Sequence, residues 1–481
     1  MKRIITIVAL LFPLVAAFAQ GTDDACLFSQ TYYQGTAKAL GMGNALGAVG
    51  GDMTALCVNP AGMGLYRGKE LAASLGLFDN LSHSTYYGTT ANANTLRLTL
   101  PNIGYVNAKQ RSNYRNLRFT QFGIALTRTN DFNEHTLARG INPSSSKIDS
   151  YLAQIDGYSP QDIKNDFPYD IFPAWSTYLI DIYEDDEGEY YGSPVPQGGI
   201  WQGRENTFKG RSEEWTFAGS ANYNEDLFLG VSIGLNHVKR TGTRVFEEWM
   251  PEDANEGTGF SQWSFTESIA STGWGGNIKT GFIYHANNWL RIGAAFHSPT
   301  IFNFNETWQT ETEAEINQFL NKHISPESHY EYTFIKPLKW VGSMAFVVGQ
   351  EAIVSFDAEY QNYGSARFRA DDWDYDATNE SIKSAFGPSF NFRIGSEWRT
   401  GNTYLRVGAG YYGSPFGFGK PNGSVKKASI GISLPAGEVI FDFAYELSIG
   451  KQLARLYEYD PIQPVEQSQS KSLLIVSLRY R

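Results

Sequence analysis

Apolar residues alternate with small or polar ones at a period of two, in segments of about ten residues. A strand with one face toward lipid and the other toward a lumen must read this way. Along 227–238, Leu227, Leu229, Val231, Ile233 and Leu235 share one face, and Gly230, Ser232, Gly234 and Asn236 the other. Leu290, Ile292, Ala294 and Phe296 alternate with Arg291, Gly293, Ala295 and His297. The same pattern runs through Phe390, Phe392 and Ile394, through Leu405, Val407, Ala409 and Tyr411, and through Phe441, Phe443 and Tyr445. The connections add a second regularity. Short turns at 224–226, 286–288, 349–351, 400–402 and 435–438 alternate with long polar stretches at about 129–211, 239–273, 300–337, 363–385, 413–426 and 450–471. A soluble sandwich has no reason to sort its loops by parity, whereas a transmembrane barrel has short turns at one end and long loops at the other. The fold class predicted is all-β, a transmembrane antiparallel β-barrel of about 14 strands. Its first three strands fall near 69–79, 94–107 and 117–128.

The two chain ends agree with this. Lys2 and Arg3, the apolar run 4–15 and the box Ala17-Phe18-Ala19 form a signal peptide, 1–19, with cleavage expected before Gln20. No lipobox ends the apolar run, because Cys26 lies too far downstream. Beyond the signal, no apolar stretch reaches membrane-helix length. Removing Lys2 and Arg3 makes the formal charge of −11 more negative by two, so the chain is a poor nucleic-acid partner. The last strand, 472–480, places Leu474, Val476, Leu478 and Tyr480 on one face. That terminal pattern resembles the signal read by the barrel-assembly machinery, with Arg481 one residue past the usual aromatic stop. The expected location is the outer membrane of a Gram-negative cell, as a monomer among membrane lipid and lipopolysaccharide.

Two segments do not read as wall. Residues 20–66 are dense in small residues, including Gly35, Ala37, Ala39, Gly41, Gly43, Ala45 and Gly47. Lying before the first strand, this segment is expected as a plug in the lumen of a barrel spanning 67–481, since so wide a barrel would otherwise leave a water-filled pore. The insertion at 129–211 is expected as a long external loop over the barrel mouth, with a helix around 150–156 and an apolar stretch at 171–182. Within that stretch Phe172, Trp175, Tyr178 and Leu179 are candidate lid residues for a ligand. Cys26 and Cys57 either form one disulfide or sit as two buried thiols.

Asn59-Pro60-Ala61 lies in the phrase 48–64, with Asp52, Ala55 and Gly62-Met63-Gly64 around it. Pro60 fixes φ and removes a donor, and Asn59 can tie its side chain to nearby backbone. The plain alternative is a simple turn before the first strand. Here the chain resembles the FadL/TodX family of outer-membrane transporters for long-chain fatty acids and other hydrophobic compounds. Three more stretches are similar to that family: Asp357-Ala358-Glu359-Tyr360 with Tyr363, Phe392-Arg393-Ile394-Gly395-Ser396-Glu397-Trp398, and Leu405 to Tyr411 leading to Ser414-Pro415-Phe416. The resemblance implies an N-terminal hatch carrying Asn59, Pro60 and Ala61, and a hydrophobic small-molecule ligand.

Other motifs carry less. Gly41 to Gly47 has its third glycine one place late for a dinucleotide loop and no preceding strand. Asp372-Trp373-Asp374-Tyr375-Asp376 opens like a calcium loop, but Ala377 replaces the required glycine and Lys383 the closing glutamate. The acidic run from Asp181 to Glu189 reads as a solvated loop. His237, His285 and His297, with Arg393, Glu397, Arg399, Arg406, Asp357, Glu359, Asp442 and Glu446, are assigned by parity to the lumen, mostly as an ion-pair network. Of these, Arg393, Glu397, Arg406 and His297 are the candidate polar lining. There is no nucleophile motif, so no enzyme, cofactor or metal site is expected. The competing function is a scaffold or secretion-assembly barrel that docks protein partners.

Overall fold

The computed structural model describes residues 21–111, 116–186, 188–251, 257, 259–417, 419–420, 422–459 and 462–481. The expected signal peptide and Glu187 lie outside the described residues.

In chain order, the strands open with β1 (Lys69–Tyr86), β2 (Thr89–Gln110), β3 (Leu117–Asp131) and β4 (Glu134–Asn142). A small ribbon, β5 (Asp181–Asp185) and β6 (Gly188–Gly192), stands in the long insertion. Then come β7 (Ile200–Tyr223), β8 (Leu227–Trp249), β9 (Phe260–His285), β10 (Leu290–His297), β11 (Thr300–Ile316), β12 (Phe319–Ile324), β13 (Ser328–Lys336) and β14 (Lys339–Val348). The set ends with β15 (Ala352–Asn362), β16 (Arg367–Arg369), β17 (Pro388–Thr400), β18 (Thr403–Tyr412), β19 (Val425–Ala436), β20 (Val439–Ala454) and β21 (Val465–Tyr480). Pairing is antiparallel throughout, and β1 closes on β21 from Leu71↔Tyr480 to Thr85↔Glu466. Counting β3 with β4, β10 with β11, β12 and β13 with β14, and β15 with β16 as single interrupted strands, the wall is a closed barrel of 14 strands.

Tight turns follow local chemistry. Asn224 and Glu225 have φ of 53° and 65°, and Asn317 and Gln318 have 52° and 69°. Two successive left-handed residues match the right-handed twist of the flanking strands. Outward positions form an apolar belt, including Leu229, Val231, Ile233, Ile278, Met344 and Val407, all exposed. Trp289, Trp398 and Tyr480 stand at its short-turn end, and Trp274 toward the other.

The wall strands are longer than the alternation predicts. The stretches 239–273 and 300–337, expected as loops, are mostly strand: β8 runs on to Trp249, β9 starts at Phe260, and β11 to β13 form a hairpin turning at Asn317-Gln318. Past the belt the outward face turns polar (Asn303, Asn305, Gln309), so the two faces no longer contrast. The long loop shortens accordingly to 143–199, between β4 and β7. Its first helix, Lys147–Leu152, begins three residues before the expected 150–156, because Ser146 caps it: Ser146 Oγ accepts from Ile148 N at 3.0 Å, and Asp149 accepts from Ser146 N at 2.8 Å.

Three neighbouring strands break at one level: at Ser298-Pro299, at Pro337-Leu338 and at 363–366. Proline cannot donate to a ladder, which explains the first two. A fourth irregularity lies between β2 and β3. Their pairing stops at Asn102↔Thr127. Beyond it, residues 89–101 of β2 pair with β1 alone, while β3 bends inward and β4 crosses the inner face of β1, where Ser82 Oγ donates to His135 O at 2.9 Å.

Candidate functional site: the lumen and its two closures

Residues 21–66 sit among inward-facing wall side chains. They form α1 (Thr22–Ser29), α2 (Ala37–Gly41), α3 (Ala55–Val58) and a 3-10 turn, Pro60–Leu65. Small residues permit this packing from both sides. A Cβ at Gly230 would run into Pro60 and Ala61, one at Gly281 into Asn59, one at Gly395 into Met42, and one at Gly408 into Gly43. Asn59 is the knot. Its Nδ2 donates to Gly47 O at 2.7 Å and to Phe282 O at 3.1 Å, and its Oδ1 accepts from Ala61 N at 3.2 Å. Pro60 opens the 3-10 turn, where a missing N–H costs nothing.

Inward charges fasten the segment. Asp357 accepts from Gly47 N at 3.1 Å and pairs with Arg393 at 3.6 Å. Arg393 also reaches Glu359 at 3.2 Å, which pairs with Lys339 at 3.4 Å. Nearer the short turns, Arg406 holds Glu397 at 2.6 Å and Asp442 at 3.4 Å, and Arg479 holds Asp442 at 2.5 Å. His297 lies 2.9 Å from Val58 O. Thus the four polar-lining candidates all face inward and each engages a partner within the protein, while Nε and Nη2 of Arg393 make no hydrogen bond. The sequence reading missed the buried Lys279–Glu214 pair and Arg479; inward parity on a strand was the available signal. It also misplaced His237, which shares outward parity with Leu235 and stacks on Trp274 at 4.3 Å on the outer face. Cys26 and Cys57 are free thiols, and Cys57 Sγ lies 3.0 Å from Thr216 Oγ1.

Above this polar layer the lumen is aromatic. Phe28 of α1 stacks on Phe304 at 4.8 Å and meets Phe132 and Phe334 edge-on at 6.1 Å each. Tyr332, Phe368 and Tyr375 continue that cluster. Next comes Phe208 with Ile269 and Trp308, against which Tyr169 packs at 4.9 Å. Last is the underside of a cap made by α4 (Lys147–Leu152), α5 (Pro160–Asp166) and α6 (Ile171–Ser176). The cap is bolted to the wall through Glu248. That buried carboxylate accepts from Ser146 Oγ at 2.6 Å, Lys147 N at 2.9 Å, Gln202 Nε2 at 2.7 Å and Trp263 Nε1 at 2.6 Å. Lys147 lies over the Phe265 ring at 4.0 Å and the Phe246 ring at 5.1 Å, and burial pushes its ammonium down to about 8.

The lid candidates divide within this cap. Leu179 is fully buried in its core, and Tyr178 is exposed with φ of 61°. Phe172 meets His323 edge-on at 5.3 Å, and Trp175 meets Tyr191 at 5.6 Å. The arrangement is an apolar column filled by side chains, closed above by the cap and below by α1. Beside its lower part is a cavity of about 30 Å³ lined by Lys279, Glu214, His297 and Lys336, room for one water. Among the described residues no cluster of His, Cys, Asp or Glu is arranged to hold a metal.

No protein-family model matches the sequence, and no curated protein does. Solved structures do. The toluene transporter TodX of Pseudomonas putida superposes with a TM-score of 0.54 at 12% identity, covering 94% of this chain and 99% of that one. A FadL homologue of Pseudomonas aeruginosa gives 0.57 at 10% identity, with the same coverage. The toluene transporter TbuX of Ralstonia pickettii gives 0.53 at 14% identity, covering 93% of this chain and 99% of that one. At such identities the likeness establishes the fold, which is that of the FadL/TodX-like barrels.

Proposed function

We propose that this chain is an outer-membrane channel for hydrophobic small molecules, long-chain fatty acids and monoaromatic compounds being the first candidates. In this reading residues 1–19 export the chain, 20–66 form a hatch and 67–481 form the barrel. The observation that carries it is the apolar column, running from the underside of the cap through Phe208 and Trp308 to Phe28. An apolar route with few polar anchors suits such ligands. Structures of the same fold described as toluene transporters support the substrate class. The ligand enters under the cap at Phe172 and Trp175, descends as α1 yields its place, and leaves where the column meets the wall. The free edge of β2 at 89–101 supports a sideways exit, since Leu98 there is 85% exposed. Asn59, Pro60 and Ala61 hold the hatch shut toward the periplasm.

The test is binding by the purified, reconstituted barrel across a panel of fatty acids and monoaromatics, read by native mass spectrometry. Saturable binding of at least one class, weakened when Trp308 is replaced by Asp, supports the reading. No binding anywhere in the panel, with protein partners co-purifying instead, would replace it by the scaffold alternative.

A further inference from the structure

The small cavity beside the lower part of the column lies behind two of the wall breaks. Ser298 and Pro337, one from each break, line it, with Thr31 and Tyr33 of the segment that joins α1 to α2. Its volume of about 30 Å³ takes one water. A halide ion is only slightly larger. Phosphate, sulfate and carboxylate, with several heavy atoms each, are too large. The charges around the cavity decide between water and halide.

Three ammonium groups line it, Lys279, Lys336 and Lys339, against one carboxylate, Glu214. Lys279 pairs with Glu214. Lys339 pairs with Glu359 at 3.4 Å and donates to Tyr33 OH at 3.3 Å. One layer out, Arg393 is matched by Asp357 and Glu359. Together, four cations (Lys279, Lys336, Lys339, Arg393) meet three carboxylates (Glu214, Glu359, Asp357). His297, also in the lining, donates Nε2 to Val58 O at 2.9 Å, and any further proton on it would add to the positive excess.

That excess rests on Lys336. Among the described residues it has no ion-pair partner; its ammonium donates to Gln30 O at 3.2 Å and to Thr31 Oγ1 at 2.8 Å. An ammonium has three donors, so one remains for the cavity. A second donor waits there. Asn236 lines the cavity, is 6% exposed, and its Nδ2 has no partner in the protein. Asn277 Oδ1, the other unpartnered atom of a lining side chain, sits against Gly234 in the space a Cβ would fill. A water would satisfy Asn236 and leave Lys336 a buried charge without a counter-charge, the more costly of the two defects. One small anion answers both. We infer that this cavity is a halide site, with Lys336 and Asn236 as its ligands and chloride as the common occupant.

Its position gives the ion a task. Gln361 Nε2 donates to Ser29 O at 3.2 Å, Lys336 holds Gln30 and Thr31, and Lys339 holds Tyr33. The wall thus grips the link between α1 and α2 at the foot of the column. With a halide beside it, Lys336 keeps its charge and its grip. Without one, the ammonium must give up a proton or admit water, and the link loosens. The site works through the contact between wall and link, whatever the column carries.

The experiment takes the full barrel in detergent from sodium gluconate to sodium chloride at constant ionic strength, wild type beside K336M and N236D. The unfolding temperature of wild type should rise saturably with chloride. K336M should raise the half-saturating chloride at least tenfold, the loss of one charge-assisted hydrogen bond. N236D sets a carboxylate of the protein beside Lys336, so it should ignore chloride and unfold above wild type in gluconate; it carries the test if K336M does not fold. Crystals grown in sodium bromide locate the ion: one anomalous peak in contact with Lys336 Nζ and Asn236 Nδ2, absent from N236D. An unfolding temperature equal in the two salts, a wild-type chloride response in both variants, or a cavity without bromide overturns the site.

Discussion

Glu248 offers the sharpest test of how the cap is held. It is fully buried and accepts four hydrogen bonds, two from the start of α4 and one each from β7 and β9. A hydrogen bond to a charged group contributes about 1.5–3 kcal/mol, so the four amount to roughly 6–12 kcal/mol before compensation. In Glu248→Ala, water enters the vacated volume and re-satisfies part of the donors. The net loss then falls to about 3–5 kcal/mol, the usual cost of leaving buried polar partners unmatched. Each 1.4 kcal/mol is tenfold, so the cap should open roughly 10² to 4 × 10³ times more often. Hydrogen exchange resolved by peptide measures this directly. Amides of 147–155 should exchange faster by that factor in the variant, while β18 and β19, far from the cap, keep their rates. Exchange of 147–155 within threefold of wild type would refute the claim that Glu248 bolts the cap to the wall.

Three further perturbations address the column, the hatch and the cap. Phe28→Ala removes a ring stacked on Phe304 at about 3–5 kcal/mol; toluene should refill the space and raise the unfolding temperature of the variant more than that of wild type, as differential scanning calorimetry will show. Gly230→Val drives a side chain into Pro60 and Ala61; Cys57, buried and free in the native barrel, should become reactive to a water-soluble maleimide, and an inert thiol would contradict the fit described. Lys147 titrates near 8 in the docked cap and near 10.4 when released, so between those values the released loop binds more protons and docking strengthens as pH rises. Docking should be weakest below about 8 and level off above about 10.5; fluorine NMR of a fluorotryptophan at position 175 follows it, and Lys147→Met should flatten the profile.

The barrel was legible because its grammar is binary. Leu229, Val231 and Ile233 against Gly230, Ser232 and Gly234 declare a strand without any neighbour, and the parity of the loops declares which end is which. That legibility ends where the outer face stops being apolar. On β11, Asn303 and Asn305 look outward while Glu306 and Thr310 look inward, so the strand reads as a loop. The position of His237 was recoverable, because Leu235 fixes its parity as outward. Of the candidate residues, Asn59 was legible through its motif, and Arg393 and Arg406 through inward parity. The partners that quench them were not, since Gly47 meets Asp357 across 310 residues of chain. The aromatic column was hidden for the same reason: Phe28, Phe208 and Phe304 come from three distant segments, and nothing local marks them as neighbours.

Photo-crosslinking tests the central claim most directly. A diazirine-bearing long-chain fatty acid is delivered from water to cells displaying the protein, and crosslinked residues are mapped by mass spectrometry. The account predicts adducts along one inner line, from Phe172 and Trp175 through Trp308 to Phe304 and on to the free edge of β2. Adducts confined to the outward belt, at residues such as Ile233, Met344 and Val407, would contradict it, because any membrane barrel would give them.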